Sequence, residues 1–530
     1  MAALPLEQSE PAIALLWLAQ ADTPDNEPTD ELSAPPEPLS QELEELEPLT
    51  PQPNDFEVRD EAAPLVQQPE IIDGRQPVLP PENLDPSANP LLFPTEPDEV
   101  TVDLTQPITL LEAIALARRN NQDFRTAFLS LERAQAGLRA ALAAQFPTLD
   151  ASATISRTDS AQSELANRGR QDNAFSDLLG DQDTITDSFD GRVELNYNIY
   201  DGGRRPAQIR EAERAIRFNQ LEVEQIEAQI RLQTITAYYS LQESDARVDI
   251  EEAAVENAQQ TLRDAELLEQ AGLGTRFDVL RAQVDLANSN QNLTNALSTQ
   301  RVSRRSLVQV LGLGQQVEVT IADEIRPAGT WELPLEETII LAYRNRAELE
   351  QQLVQREIEE QQRETALADI RPQVSVFANY NVLGVFNDSE GLADGYQIGA
   401  RVRWRFFDGG LAQARRDQEA IDMEIAEVSF EQQRNQIRFE VEEAYSNLLA
   451  SDENIKTATV AVQLAEESLR LARLRFQAGV GTQTDVIDAQ TELTRARGNL
   501  LTAIISYNSA LASLQRAVSN VPTNQLFDLP

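Results

Sequence analysis

Four segments of this chain alternate apolar and polar residues with period two. Leu149, Ala151, Ala153 and Ile155 alternate with Asp150, Ser152, Thr154 and Ser156. Val193, Leu195, Tyr197 and Ile199 alternate with Glu194, Asn196, Asn198 and Tyr200. Val374, Val376, Ala378, Tyr380 and Val382 alternate with Ser375, Phe377, Asn379 and Asn381. Ile398, Ala400, Val402, Trp404 and Phe406 alternate with Gly399, Arg401, Arg403, Arg405 and Phe407. Segments of this length and pattern predict two β-hairpins, within 147–201 and 372–408.

After each hairpin the pattern changes. Residues 207–271 and 411–478 form runs of 65 and 68 residues with neither Gly nor Pro, rich in Ala, Glu, Gln, Arg and Leu. These residues are good helix formers, and at 1.5 Å per residue each run predicts a helix of roughly 100 Å. Each run ends in a Gly-x-Gly turn followed by another helix, over 275–311 and 482–519. A shorter helix precedes each hairpin, over 112–145 and 337–369. The two shorter helices of a half together approach the length of its long helix, enough to stack end to end along it.

These elements occur twice. Gln270-Ala-Gly-Leu-Gly-Thr-Arg-Phe-Asp-Val-Leu-Arg-Ala-Gln283 returns as Gln477-Ala-Gly-Val-Gly-Thr-Gln-Thr-Asp-Val-Ile-Asp-Ala-Gln490, an offset of 207 shared by Asp201-Gly-Gly203 and Asp408-Gly-Gly410. Upstream, Glu112–Asn120 and Pro147 match Glu337–Asn345 and Pro372 at an offset of 225, so 18 residues of length variation sit inside the first hairpin. A period this long means two copies of one large unit, not a short-repeat solenoid.

The strand pattern suits a membrane-spanning barrel, with apolar residues towards lipid and polar residues towards a wet lumen. An amphipathic sheet on a water-soluble core is the plainer alternative, and four matched strands flanked by helices favour the barrel. A charge at Val402 is then expected to oppose insertion as a midplane residue, and one at Arg403 to face the lumen. Four strands cannot close a barrel, and open edges are not tolerated in lipid. The chain must therefore oligomerise, with eight, twelve or sixteen strands as the cyclic choices.

Composition narrows the chemistry. The 530 residues carry a formal charge of −44, with no Cys and no His, and Lys456 is the only lysine. Imidazole and thiol catalysis and the usual zinc sites are thereby excluded. Lys456-Thr457 lacks the glycine of a phosphate loop. Strong negative charge argues against nucleic acid, whose binding rests on neutralising phosphates. No enzyme, metal or cofactor is expected. The carboxylates Asp177, Asp181, Asp183, Asp187 and Asp190 read as solvated charge in the first hairpin loop, since their spacing fits no Ca²⁺ loop.

The first 100 residues hold 19 of the 27 prolines, and 22–100 contain 21 acidic residues against Arg59 and Arg75. Such a segment buries too little apolar area to offset its ordering entropy, so 22–100 are expected to be an extended, dispensable tether. Residues 1–21 read as an atypical export signal: Ala12-Ile-Ala-Leu-Leu-Trp-Leu18 and Ala19-Gln-Ala21 suit one, but Glu7 and Glu10 replace the usual positive start. The expected domains are thus 1–21, 22–100, a first repeat over 101–325 that includes a short strand region, a second over 326–521, and a tail at 522–530.

Two repeats of helix, hairpin, long helix, Gly-rich turn and helix, with Asp-Gly-Gly after the second strand and Ala-Gly-x-Gly-Thr at the turn, resemble the TolC-like outer membrane efflux proteins over about 112–519. The resemblance implies an α+β membrane protein: a helical coiled-coil barrel crossing the periplasm and a twelve-stranded transmembrane β-barrel in outer membrane lipid, closed as a homotrimer. It implies a passive exit duct for a tripartite efflux pump or type I secretion system, working with a periplasmic adaptor and an inner membrane transporter of the RND or ABC type. The alternative is a soluble or peripheral coiled-coil scaffold of the envelope.

The resemblance also assigns residues. Gly272-Leu273-Gly274 and Gly479-Val480-Gly481 match the tips that meet the adaptor, although glycine there also serves simply to end a helix. Asp485 and Asp488 match the carboxylates ringing the closed periplasmic entrance. Thr275-x-x-Asp278 and Thr482-x-x-Asp485 read equally as capping boxes. Asp488 differs, because its repeat partner is Arg281, placed to pair with Asp278, whereas Asp485 and Asp488 repel on one face. The Arg and Tyr with which the best-known relatives lock the entrance are replaced here by Gly481 and Phe476.

Overall fold

The computed structural model describes residues 93–518 except 103, 163, 166–167, 169–184, 315 and 387–390, together with Pro81 and Leu84. The expected segments 1–21 and 522–530, most of 22–100, and Asp177, Asp181 and Asp183 lie outside the described residues. After a short 3-10 turn at Pro97–Val100, the first repeat runs β1 (Leu104–Ile108), α1 (Leu110–Asn120), α2 (Gln122–Ala143), β2 (Thr148–Asp159), β3 (Ile185–Tyr200), α3 (Arg204–Gln270) and α4 (Arg276–Val310). The second runs β4 (Val317–Ile321), α5 (Leu335–Asn345), α6 (Ala347–Ala368), β5 (Gln373–Val385), β6 (Leu392–Arg403), α7 (Leu411–Gln477) and α8 (Gln483–Val518).

The two hairpins join into one antiparallel sheet in the order β2-β3-β5-β6. Residues directly opposite in such a ladder share a face. Leu149, Leu195, Ala378 and Ile398 form one cross-strand row, and Asp150, Glu194, Asn379 and Gln397 form the next. The alternation read from each strand is therefore in phase across all four, giving one largely apolar and one largely polar face. Apolar side chains on the first face stay open to the surroundings of the chain, Ile155 at 77%, Tyr396 at 79% and Ile398 at 76% exposure.

The strands differ from expectation in three places. β6 stops at Arg403, so Trp404 to Phe407 follow the strand, and Val402 lies one residue from its end, not at mid-depth. A bulge between Asn198 and Tyr200 inserts Ile199, so Tyr200 lands opposite Val374 and joins the apolar face instead of the polar one. β3 begins at Ile185, which makes Asp187 and Asp190 strand residues instead of loop charges, 3.7 Å from Arg157 and 3.8 Å from Arg192.

Asp-Gly-Gly recurs because it starts each long helix. Asp201 accepts hydrogen bonds from the amides of Gly203 (3.3 Å) and Arg205 (2.8 Å), and Asp408 from those of Gly410 (2.9 Å) and Ala412 (2.8 Å). Gly203 and Gly410 occupy the cap with φ of 95° and 89°, a left-handed conformation costly to any side chain. α3 and α7 then run 67 residues each without a break.

The shorter helices do break. In place of single helices over 112–145 and 337–369, α1 and α2 meet at Asn121 and α5 and α6 at Arg346, both in extended backbone. The breaks create a junction. The Asn121 amide donates to the carbonyl of Val310, the last residue of α4, at 3.1 Å. At the repeat-equivalent positions Arg346 donates to the carbonyl of Ala517 near the end of α8, at 3.3 Å. The end of one short helix is thus stitched to the start of the other, which is how the pair lies along its long helix.

Near the first junction, β1 and β4 form a parallel ladder that the sequence reading does not pair. It lies over a core of Ile108, Leu116, Tyr238, Leu307, Leu311 and Val319. The Tyr238 hydroxyl donates to Asp323 Oδ2 at 2.7 Å, and the same oxygen accepts from the Leu110 amide at 2.7 Å. Leu84 is fully buried in this core, and Asn120 Nδ2 donates to its carbonyl at 3.1 Å. The acidic segment was expected to bury little, and Leu84 is a described residue of it that is buried. Among the described residues no helix is long and apolar enough to cross a membrane.

Candidate functional site

Three regions carry the functional residues: the helix-hairpin tips, the helix junctions and the sheet. The strands precede the starts of α3 and α7 and the turns follow their ends, so sheet and tips occupy opposite ends of helices roughly 100 Å long.

At the first tip, Gly272 takes φ of 72°, its amide reaches the carbonyl of Glu269, and those of Leu273 and Gly274 both reach Leu268, each at 2.9 Å. At the second, Gly479 takes φ of 74°, and the amides of Val480 and Gly481 reach the carbonyl of Arg475 at 3.0 Å. This is the left-handed closure that satisfies the last carbonyls of a helix. It leaves one apolar side chain at each apex, Leu273 at 80% and Val480 at 72% exposure. A Cβ at Gly481 would sit 3.1 Å from Arg475 Cβ and from the Phe476 amide nitrogen, so an arginine here would require the turn to shift. Phe476 is partly buried and packs against the core of Ala465, Leu469, Val486, Ala489 and Leu493.

Both capping boxes form. Thr275 and Asp278 exchange hydrogen bonds at 3.1 and 3.3 Å, and Thr482 and Asp485 at 2.9 and 3.2 Å. The backbone amide and hydroxyl of Thr482 hold Asp485 below the usual carboxylate range. The expected pairing of Asp278 with Arg281 is absent: Asp278 is occupied by Thr275, and Arg281 acts on Asp285 one turn further on. Asp488 is exposed one turn beyond Asp485, and among the described residues no hydrogen bond or ion pair reaches it. Cap and free carboxylate therefore share one face of α8, while the Gly-rich apices lie beside them.

The second junction is ionic where the first is amide. Arg346, with only 3% of its side chain exposed, reaches Glu348 at 2.8 Å and Glu440 at 2.7 Å, and Arg516 also reaches Glu348 at 2.7 Å. Burial pushes the Glu348 carboxyl up, and the hydrogen bond from Arg346 with the charges of Arg516 and Arg346 outweighs it, holding the group at about 2. A buried guanidinium left without these carboxylates would be strongly destabilising. The sequence reading passed over this cluster. Its signal was the replacement of Asn121 by Arg346 between otherwise matching repeats.

Comparison with known proteins agrees with this architecture. A family model described as outer membrane efflux protein matches residues 113–313 and 339–520. The cobalt-zinc-cadmium resistance protein CzcC of Cupriavidus metallidurans is 24% identical over 348 residues, 63% of this chain and 78% of that protein. The outer membrane protein TolC of Escherichia coli is 28% identical over 214 residues, which span 40% of this chain and 41% of TolC. The solved structure of the Campylobacter jejuni CmeC outer membrane channel superposes with a TM-score of 0.65 at 16% identity, over 82% of this chain and 94% of that one. With duplicated helical hairpins, an amphipathic sheet at one end and capped tips at the other, this chain belongs to the outer membrane efflux protein family and is an outer membrane channel for efflux, its helical tunnel lying in the periplasm.

Proposed function

We propose that three copies of this chain close a twelve-stranded barrel in outer membrane lipid and continue it as one helical tunnel, forming the passive exit duct of a tripartite pump. The observation that carries this reading is the sheet itself: among the described residues, four strands, an open apolar face, and β2 and β6 each left with an unpaired edge. An unpaired edge within hydrocarbon costs several kcal/mol for each unsatisfied group, so each β6 takes the β2 of another copy. The family resemblance favours three copies over two or four.

At the other end, the exposed Leu273 and Val480 suit docking to a periplasmic adaptor, which links the duct to an inner membrane transporter. Asp485 and Asp488 converge at the narrow entrance, where rings of acidic side chains favour cations. The homotrimer is tested by native mass measurement of the detergent-extracted complex. Three chains are expected, and a two- or four-chain species or a detergent-independent monomer would overturn the reading. The adaptor role is tested by photo-crosslinking from Leu273 and Val480.

A further inference from the structure

The polar face of the sheet is not uniform. At repeat-equivalent positions the first copy has Glu194, Asn196 and Asn198, whereas the second has Arg401, Arg403 and Arg405. The fold needs only polar residues there, so it does not require three arginines. They stand out in a chain with 88 acidic and 44 basic residues.

Their surroundings leave the charge open. Arg401 lies opposite Ser375, itself opposite Asn198, and Arg403 lies opposite Gln373, all on the polar face. All three arginines are exposed, and among the described residues no carboxylate pairs with them. The acids at this end of the sheet are already committed. Asp201 and Asp408 cap α3 and α7, and Asp369 holds Arg204 and Arg415. Asp150 and Glu194 share the polar face but lie four residues further along the strands, about 13 Å away and beyond a Debye length at physiological salt. The Arg401 guanidinium is also held in place. The Phe377 ring lies across Gly399, where a Cβ would approach within 2.7 Å, and the guanidinium stacks over that ring at 5.1 Å from its centroid.

We propose that Arg401 and Arg403 on the polar face, with the exposed Arg405 just past the strand end, form a cationic collar on the lumen wall where barrel meets tunnel, receiving multivalent oxyanionic solutes. The proposal rests on the barrel reading, which sets the polar face inwards, and each added copy contributes another set of arginines. Planar guanidinium forks match phosphate and carboxylate oxygens, and so favour these anions over chloride.

The chain has no cysteine, so single-cysteine variants report cleanly. Full-length Arg403→Cys and Ile398→Cys, reconstituted in phosphatidylcholine vesicles, are treated with anionic and cationic methanethiosulfonates. Ile398→Cys, on the apolar face at mid-strand, is expected to react little with either. Arg403→Cys should react about tenfold faster with the anionic reagent, after correction for free-thiol rates. That preference should vanish when Arg401→Gln and Arg405→Gln are added, and inorganic tripolyphosphate should protect Arg403→Cys where chloride at equal ionic strength does not. An Arg403→Cys that reacts without charge preference, or without protection by tripolyphosphate, overturns the collar and leaves the barrel standing. Equal reactivity of Ile398→Cys and Arg403→Cys would overturn the barrel facing and the collar with it.

Discussion

Ile398→Arg and Gln397→Arg put the same charge on neighbouring residues of β6 and on opposite faces of the sheet. Ile398 is five residues before the strand end at Arg403 and six after its start at Leu392. At about 3.3 Å per residue it lies ~17 Å from that end, and a tilt of about 45° reduces this to ~12 Å of depth. That is half of an apolar band about 25 Å tall, so in the proposed barrel Ile398 would sit near the membrane midplane. An arginine at that depth costs about 2–4 kcal/mol per chain, or roughly 30- to 900-fold in the insertion equilibrium. Val402→Arg, one residue from the strand end, should cost only about 0–1 kcal/mol. Gln397→Arg lies on the polar face opposite Asn379, which the proposed barrel turns to the lumen, and should be tolerated. The assay is the yield of heat-modifiable oligomer in the outer membrane fraction, with urea titration of refolded protein in vesicles for the energies. Equal loss for Gln397→Arg and Ile398→Arg would refute the facing, and a Val402→Arg as damaging as Ile398→Arg would refute the depth.

Leu84→Ala should destabilise the chain by about 2–5 kcal/mol, as for other fully buried leucines, while deletion of 22–79 should leave the melting temperature nearly unchanged. Glu348 is held at about 2, below its ordinary 4.5, so its contribution is complete above about pH 4.5 and is lost as pH falls from there towards 2. A thermal melt series should show that acid loss in the wild type. Glu348→Gln should melt lower at pH 7, with a flatter acid limb, because Arg346 and Arg516 lose a partner. Asp488→Asn should relieve block by trivalent cations in planar bilayers at little stability cost, whereas Asp485→Asn should also cost about 1 kcal/mol through the lost cap. A block untouched by Asp488→Asn would separate that residue from the entrance.

Much of this architecture was legible because two periodicities carry it. The dyad alternation of β2, β3, β5 and β6 and the unbroken helix-forming runs of α3 and α7 are local patterns, and the duplication checked each against the other. The misses have physical causes. The breaks at Asn121 and Arg346 carry no Gly or Pro, since long-range bonds to Val310 and Ala517 stabilise them. The bulge at Ile199 leaves the alternation of letters intact while changing which face Tyr200 joins. Leu84 is one apolar residue in a tract whose composition describes its neighbours better. At the tips the capping boxes were readable from Thr and Asp spacing. The missing Asp278–Arg281 pair was not, because Thr275 competes for the same carboxylate.

The parallel pairing of β1 with β4 sets a clock on biogenesis. The Leu110 amide and Asp323, bonded beside that ladder, are 213 residues apart in sequence. A chain delivered from its N-terminal end exposes β1 for the whole interval before β4 arrives. Over the same interval β3 waits for β5 with one ladder unmade. Closure of contacts this distant is slow, and unpaired strands are prone to the wrong partner while it lasts. Late, long-range strand capture is therefore expected to slow folding of this chain, and holding chaperones that cover strand edges should act on the first repeat more than on the second.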